Sequence, residues 1–286
     1  MYYTGAAAAT VLSQLISGVL CLIVALRRYP LLRPKKSDFR WDFRLAGGHL
    51  AQGLPMALQF SITAIGCMVQ QSALNGLDAA LPGAVTAYTA ASKIDGIATQ
   101  TFVALGTAIA TFAGQNYGAG EYGRIRQGVT VGMLYCIVSV GLGFVFDVAL
   151  CEPLMRLFLN TDLSSNVAAH FDEVIAYGRQ YLLWQCVFYI FLGAIHVYRN
   201  TLQGIGRSFV TTFAGVTELA GRIVASLGFV QLWGFTGICI SNPAAWVAAV
   251  LFLVTTYCIC MRRLGKPRTE HRLRLRRAAA GNGKAA

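Results

Sequence analysis

Seven long apolar stretches, at about residues 5–26, 48–73, 82–114, 128–150, 174–198, 209–233 and 235–261, restrict what this chain can fold into. Each is rich in Ala, Leu, Ile, Val, Phe and Gly and holds few charges. A bilayer core of ~30 Å is crossed by roughly 20 apolar helical residues, whereas helices of soluble proteins usually stop at about 8–20. Alternation of apolar and polar residues over segments of about 10, the mark of a membrane barrel, is absent. The expected fold class is therefore all-α, a polytopic membrane bundle of about seven helices, because helices satisfy their own backbone groups in lipid. Composition agrees. Of the 286 residues, 56% are hydrophobic and 13% charged, about half the charged share of an ordinary soluble domain. Such a surface does not suit a soluble enzyme or a nucleic-acid-binding protein.

The formal net charge of +12, from 24 Lys+Arg against 12 Asp+Glu, is unevenly placed. Arg27, Arg28, Arg33, Lys35, Lys36, Arg40 and Arg44 follow the first apolar stretch. Arg124 and Arg126 follow the third, and Arg199 and Arg207 the fifth. Arg262, Arg263, Lys266, Arg268, Arg272, Arg274, Arg276, Arg277 and Lys284 follow the seventh. These places hold 20 of the 24 basic residues and fall on one side if the helices alternate. The other side carries Asp78, Glu152, Asp162, Asp172 and Glu173, with Arg156 as its main base. By the positive-inside rule the basic side is expected in the cytoplasm. The first helix would then start outside and the chain end inside a cell membrane.

Pro30 and Pro34 break helix within the basic segment 27–44, making it the best linker candidate. The expected organisation is one helix over 1–27, a basic cytoplasmic linker over 28–46, a six-helix body over 47–262 and a basic tail over 263–286. That tail is expected to be disordered or to lie on anionic lipid. No aromatic residues interleave its charges, so nucleic acid is not an expected partner. The first apolar run begins almost at residue 1 with no basic leader, as in a piece cut from a longer chain. Cys21, Cys67, Cys136, Cys186, Cys239, Cys258 and Cys260 lie in apolar runs, and only Cys151 is near an outer end. Without paired spacing they read as small packing residues, and no metal site is expected.

The most specific text is Gly114-Gln115-Asn116-Tyr117-Gly118-Ala119-Gly120, followed by Glu121, Tyr122, Gly123 and then Arg124-Ile125-Arg126-Gln127-Gly128. Gly106, Ala110, Gly114 and Gly118 recur every four residues ahead of it, a small-residue face that lets a neighbouring helix approach closely. Together these residues resemble the cytoplasmic loop signature of the multidrug and toxic compound extrusion (MATE) transporters. Thr201-Leu202-Gln203-Gly204-Ile205-Gly206 is similar to that family's QGxG turn. A third similarity is Gly53-Leu54-Pro55 opening the second helix, with Leu58-Gln59 behind it, and the helix containing Ala87-Tyr88-Thr89-Ala90-Ala91-Ser92-Lys93-Ile94 looks like the family's eighth. The resemblance covers roughly residues 45–262 in order. It implies two six-helix lobes joined by a cytoplasmic linker, of which this chain supplies the whole C-terminal lobe and the helix before it. The missing N-terminal lobe is then an expected partner, in the same chain if this is a fragment.

Polar residues inside the helices are the functional candidates, because lipid does not satisfy them. Gln59 and Thr63 share a face of the second helix with Gln52. In the third, Lys93 and Gln100 share a face while Asp95 points about 200° away. Lys93 and Asp95 lie too deep to snorkel easily, so each either pairs with a neighbouring helix or is a proton or ligand site. Glu218 and Arg222 have the i, i+4 spacing of an internal ion pair. Asp147 is expected near an outer helix end and solvated, and His196 at the interface. Tyr88 and Trp184 are expected aromatic contacts for a bound compound. Some family branches carry a coupling carboxylate in the helix opened by Gly53-Leu54-Pro55, but residues 54–73 contain none. Asp95 and Glu218 are the remaining candidates in this chain.

No phosphate-cradling loop, zinc-protease helix or nucleophile elbow occurs, so no enzyme is expected. The leading reading is secondary-active efflux of small amphipathic or cationic compounds against protons or sodium, with no other cofactor. A lipid or polysaccharide flippase of the same superfamily is the alternative. A seven-helix receptor is disfavoured, since no Asn-x-Ser/Thr sequon occurs.

Overall fold

A computed structural model describes residues 2–30, 33–39, 42–77, 80–159 and 170–264. Among them are seven helices long and apolar enough to cross a membrane. They are α1 (Tyr2–Arg28), α2 (Phe43–Leu77), α3 (Ala84–Gly118), α4 (Tyr122–Phe158), α5 (Phe171–Gly204), α6 (Ser208–Trp233) and α7 (Phe235–Leu264). No strand occurs among the described residues. The all-α membrane architecture read from the sequence holds. Asp78, Asp162 and the tail from 265 onward lie outside the described residues.

Two compact units divide the chain, Met1–His49 and Leu50–Ala286. In the first, Arg33 Nε donates to the carbonyl of Leu26 at 2.8 Å and Nη2 to that of Arg27 at 3.4 Å. These bonds occupy carbonyls that the end of α1 leaves unpaired. Asp42 Oδ1 accepts from the amides of Arg44 at 2.8 Å and Leu45 at 3.1 Å, the pattern of an N-cap. The cap starts α2 at Phe43, earlier than the apolar run beginning near residue 48. Apolarity marks the membrane portion of a helix, and the cap marks its start.

In the second unit α5 packs against α3, α4 and α7, and α6 runs along α7. One apolar core, toward the basic helix ends, includes Phe102, Ile109, Ile125, Val129, Tyr189 and Ile195. A second includes Ile94, Met155, Tyr181, Leu182 and Ile238. From residue 131 to 150 the open side of α4 is apolar, with Val131, Leu134, Val138, Leu142 and Val145 exposed, as suits a lipid-facing surface. Arg126 Nη2 donates to the Met261 carbonyl at 2.8 Å, tying the start of α4 to the end of α7.

Pro243 interrupts α7, so the carbonyl four residues earlier, on Cys239, loses its helical amide partner. Gln185 of α5 donates to that carbonyl at 3.1 Å, and both residues are buried. Gln70 of α2 reaches the adjacent carbonyl of Ile238 at 3.3 Å. α6 contains a π-helical turn at Ala225–Phe229. Beside it the Ser226 and Ser241 hydroxyls lie 2.6 Å apart.

Candidate functional site

Two clusters of ionisable side chains lie deep in the second unit. In the first, the Tyr189 hydroxyl of α5 is 2.7 Å from Asp95 Oδ1 of α3 and 2.5 Å from Asp147 Oδ2 of α4. The Cys186 thiol, about one turn before Tyr189, donates to Asp147 Oδ2 at 3.3 Å. Asp147 is fully buried, and its Oδ1 has no hydrogen-bond partner among the described residues. Asp95 lies 11 residues beyond the start of α3, about 16 Å along the helix axis. Tyr189 is itself fully buried, its ring edge-on to Phe102 at 5.9 Å between centroids.

The second cluster joins α5 and α6 and touches α2. Glu218 Oε2 accepts from Arg199 Nη2 at 2.8 Å, and Glu218 Oε1 lies 3.4 Å from Arg222 Nη2. Arg222 Nη1 is also 2.8 Å from the Cys67 sulfur on α2. The i, i+4 pair expected from sequence is therefore one arm of a triad. Nearer the end of α5, Gln203 Nε2 donates to Gln59 Oε1 at 3.0 Å and lies 3.3 Å from the Thr211 hydroxyl. Thr212 donates to the Pro55 carbonyl at 2.9 Å. Gln59 is thus an interhelical hydrogen-bonding residue, buried at 2% exposure.

Residues 55–226, more than half of the chain, match the family profile described as MatE. The chain belongs to the MatE family. MatE proteins are membrane transporters and not enzymes. A protein of Bacillus subtilis (strain 168) described as probable multidrug resistance protein YpnP is 27% identical over 208 residues, 72% of this chain and 43% of the relative. The probable multidrug resistance protein YoeA of the same organism is 24% identical over 260 residues, 88% of this chain and 53% of the relative. The chain spans about half the length of these curated relatives. A crystal structure of MATE in complex with MaL6 matches 92% of this chain and 57% of that one, with a TM-score of 0.76 at 18% identity. A MOP superfamily transporter from Pyrococcus furiosus Vc1, described as having a binding pocket of reverse polarity, gives the same TM-score of 0.76 at 18% identity. At these identities the likeness shows the fold.

In this MatE chain the two signature stretches form one structural unit, and most of each is helix rather than loop. Gly114, Gln115, Asn116 and Gly118 lie inside α3, and Gln203 and Gly204 inside α5. Only Ala119 to Glu121 and Ile205 to Arg207 turn. Both turns close in the same way. At the first, the Glu121 amide donates to Asn116 O at 2.9 Å and the Gly120 amide to Tyr117 O at 3.1 Å. At the second, the Arg207 amide donates to Leu202 O at 2.8 Å and the Gly206 amide to Gln203 O at 2.9 Å. This is the Schellman pattern, which needs a left-handed residue after the cap. Gly120 and Gly206 supply it, with φ of 76° and 78°. Gly204 in turn lies against the backbone of Ala110, and a Cβ on Gly114 would stand 3.2 Å from the Gly204 carbonyl. The small-residue face brings α3 against α5, as its spacing predicts. At Gly118, however, the space is open.

Other expectations divide. Lys93 and Gln100 lie together on the exposed side of α3, while Asp95 turns inward, as the helical angles require. Tyr88 packs edge-on against Tyr181 at 5.0 Å, and Trp184 stacks on Phe188 at 6.3 Å. Thr63 is half-buried on α2. His196 lies within α5 beside Gly106 of α3. Asp147 is not solvated: α4 continues to Phe158, three turns beyond it, so the end of the apolar run is not the end of the helix. Arg199 does not mark the basic end; it lies inside α5 and pairs with Glu218. Cys67 and Cys186 are more than packing residues, since each bonds an ionisable side chain. Sequence reasoning passed over Tyr189 and Gln185. A hydroxyl or amide midway along an apolar helix was their signal, because each must find a buried partner. No group of three or more His, Cys, Asp or Glu that could hold a metal occurs among the described residues.

Proposed function

We propose that this chain forms the C-terminal lobe of a secondary-active exporter, together with the last helix of an N-terminal lobe and the basic cytoplasmic linker. Small amphipathic or cationic compounds leave in exchange for protons or sodium. The observation that carries this reading is a polar stripe on the open side of α3. Thr89, Lys93, Gln100, Thr107 and Thr111 are all exposed, and at 100° per residue they fall within an arc of about 40°. The open side of α4 between residues 131 and 150 is apolar by contrast. Lys93 makes no hydrogen bond or ion pair among the described residues and lies nine residues into α3. A lysine and an amide at that depth favour a wet cavity over lipid.

Asp95, Tyr189 and Asp147 are the proposed coupling group. A hydroxyl carries one hydrogen and donates to one carboxylate at a time. A second hydrogen, carried by a carboxyl, completes both contacts seen here. Loading and release of that hydrogen would change how α3, α4 and α5 are joined, while two lobes alternate about a cavity near the membrane midplane. Ethidium efflux from vesicles containing the protein tests the reading, driven in turn by a proton gradient and a sodium gradient. Asp95→Asn is expected to abolish gradient-driven efflux and Lys93→Ala to change its substrate range. Unchanged efflux with alanine at both positions would overturn the proposal.

A further inference from the structure

The Arg199–Glu218–Arg222 cluster has more donors than acceptors. Two guanidinium groups offer ten N–H hydrogens and two positive charges. Among the described residues their acceptors are the two Glu218 oxygens and the Cys67 sulfur. The Nε atoms of Arg199 and Arg222 are buried with no hydrogen-bond partner among the described residues. The triad therefore keeps a net charge of about +1 in a region where Arg222 is 4% exposed. Arg222 lies 14 residues into α6, about 21 Å from the start of that helix. A buried charge without a counter-ion is costly at this depth.

The helix opposite is shaped to admit the guanidinium. A Cβ on Gly66 of α2 would stand 3.2 Å from Arg222 Cδ and 3.6 Å from its Nη1. The missing side chain lets the arginine lie flat against α2 and reach Cys67. Cys67 is exposed, so its thiol stands between the open side of α2 and the charge beneath. Thiol sulfur is a weak acceptor that a stronger one displaces readily.

The geometry points to a binding site for a monovalent anion, a carboxylate or a halide, at Arg222 and Arg199, entered past Cys67. The anion replaces the sulfur at Arg222 Nη1 and completes the charge balance of the triad. This site stands independently of the efflux reading, and its test does not use transport.

Cys67 itself reports the local potential. In membranes containing the intact chain, two methanethiosulfonate reagents of opposite charge are compared, one bearing a sulfonate and one a trimethylammonium group. In each case the Cys67 thiolate attacks the thiosulfonate sulfur, a mixed disulfide forms and methanesulfinate leaves, the thiol proton passing to buffer. Adducts are read by peptide mass spectrometry, so the other cysteines stay in place. Each rate is divided by that of the same reagent with 2-mercaptoethanol. The corrected rate of the sulfonate reagent is expected to exceed the other by about tenfold. Benzoate, or chloride replacing gluconate, should slow it, and whichever acts at the lower concentration identifies a carboxylate or a halide site. Arg222→Gln and, separately, Arg199→Gln should remove the preference, while Arg222→Lys keeps it. Equal corrected rates in the unmodified chain, or a preference that neither anion reduces, would overturn the proposal.

Discussion

The Tyr189 hydroxyl bonds carboxyl groups on two neighbouring helices at once. Among the described residues it is the sole link between the carboxyl groups of Asp95 and Asp147, and a hydrogen bond to a charged group contributes about 1.5–3 kcal/mol. Tyr189→Phe should lower stability by that amount in thermal melts of the detergent-solubilised protein. Tyr198→Phe is the matched control, because the Tyr198 ring pairs with Tyr257 and its hydroxyl has no bond among the described residues; a change within about 0.5 kcal/mol is expected. The arginine triad makes a prediction of order rather than size. Glu218→Gln strands two buried cations, whereas Arg199→Gln leaves a one-to-one pair of Glu218 with Arg222. Breaking a buried pair by removing one partner costs about 3–5 kcal/mol, so Glu218→Gln should melt well below Arg199→Gln. The reverse order would show that Glu218 is not the shared counter-ion.

At the scale of elements, the crossing of α3 and α5 depends on glycine at one point and tolerates change at another. Gly204 faces the backbone of Ala110, which cannot move aside as a flexible side chain would, while nothing stands within 4 Å of a Cβ at Gly118. Gly204→Ala is expected to cost about 1–3 kcal/mol by overpacking. Gly118→Ala should be neutral or stabilising by up to about 1 kcal/mol, since alanine favours helix. Comparing the two melts separates close approach from mere helix propensity. A second coupling joins α5 to α7. Gln185 serves the carbonyl that Pro243 deprives of its amide, so the two residues should be non-additive. Gln185→Ala is expected to cost about 1–3 kcal/mol with Pro243 in place and measurably less in a Pro243→Ala background, where the helix supplies the missing donor. Equal costs in both backgrounds would remove the connection.

At the scale of the whole molecule, the exposed faces of α3 and α4 divide a polar surface from an apolar one, as expected where one side meets a wet cavity and the other lipid. The positive-inside rule adds a direction. Glu121 lies between α3 and α4 at the basic end, and Glu152 near the far end of α4, 31 residues and about 46 Å away. Cysteine at position 121 should react with a membrane-impermeant maleimide only after cells are permeabilised, and cysteine at position 152 in intact cells. The opposite pattern would invert the topology expected from the positive-inside rule.

Apolar length, the positions of Lys and Arg, and the Gly-rich signatures are properties of consecutive residues, and consecutive residues suffice to count helices and assign the family. Helical angles likewise place Lys93 and Gln100 on one face and Asp95 on the other. Partners are a different matter. A polar residue in an apolar helix states that a partner is needed but not where it lies, because the partner belongs to another helix at a remote position. Asp147, 52 residues from Asp95, meets it through Tyr189, and Arg199 leaves the apparent basic end to share Glu218 with Arg222. The Schellman turns could be anticipated from Gly120 and Gly206, but their union through Gly204 and Ala110 could not. Helix number and the basic end follow from the sequence alone; the pairing of charges in the interior required the helices to be packed.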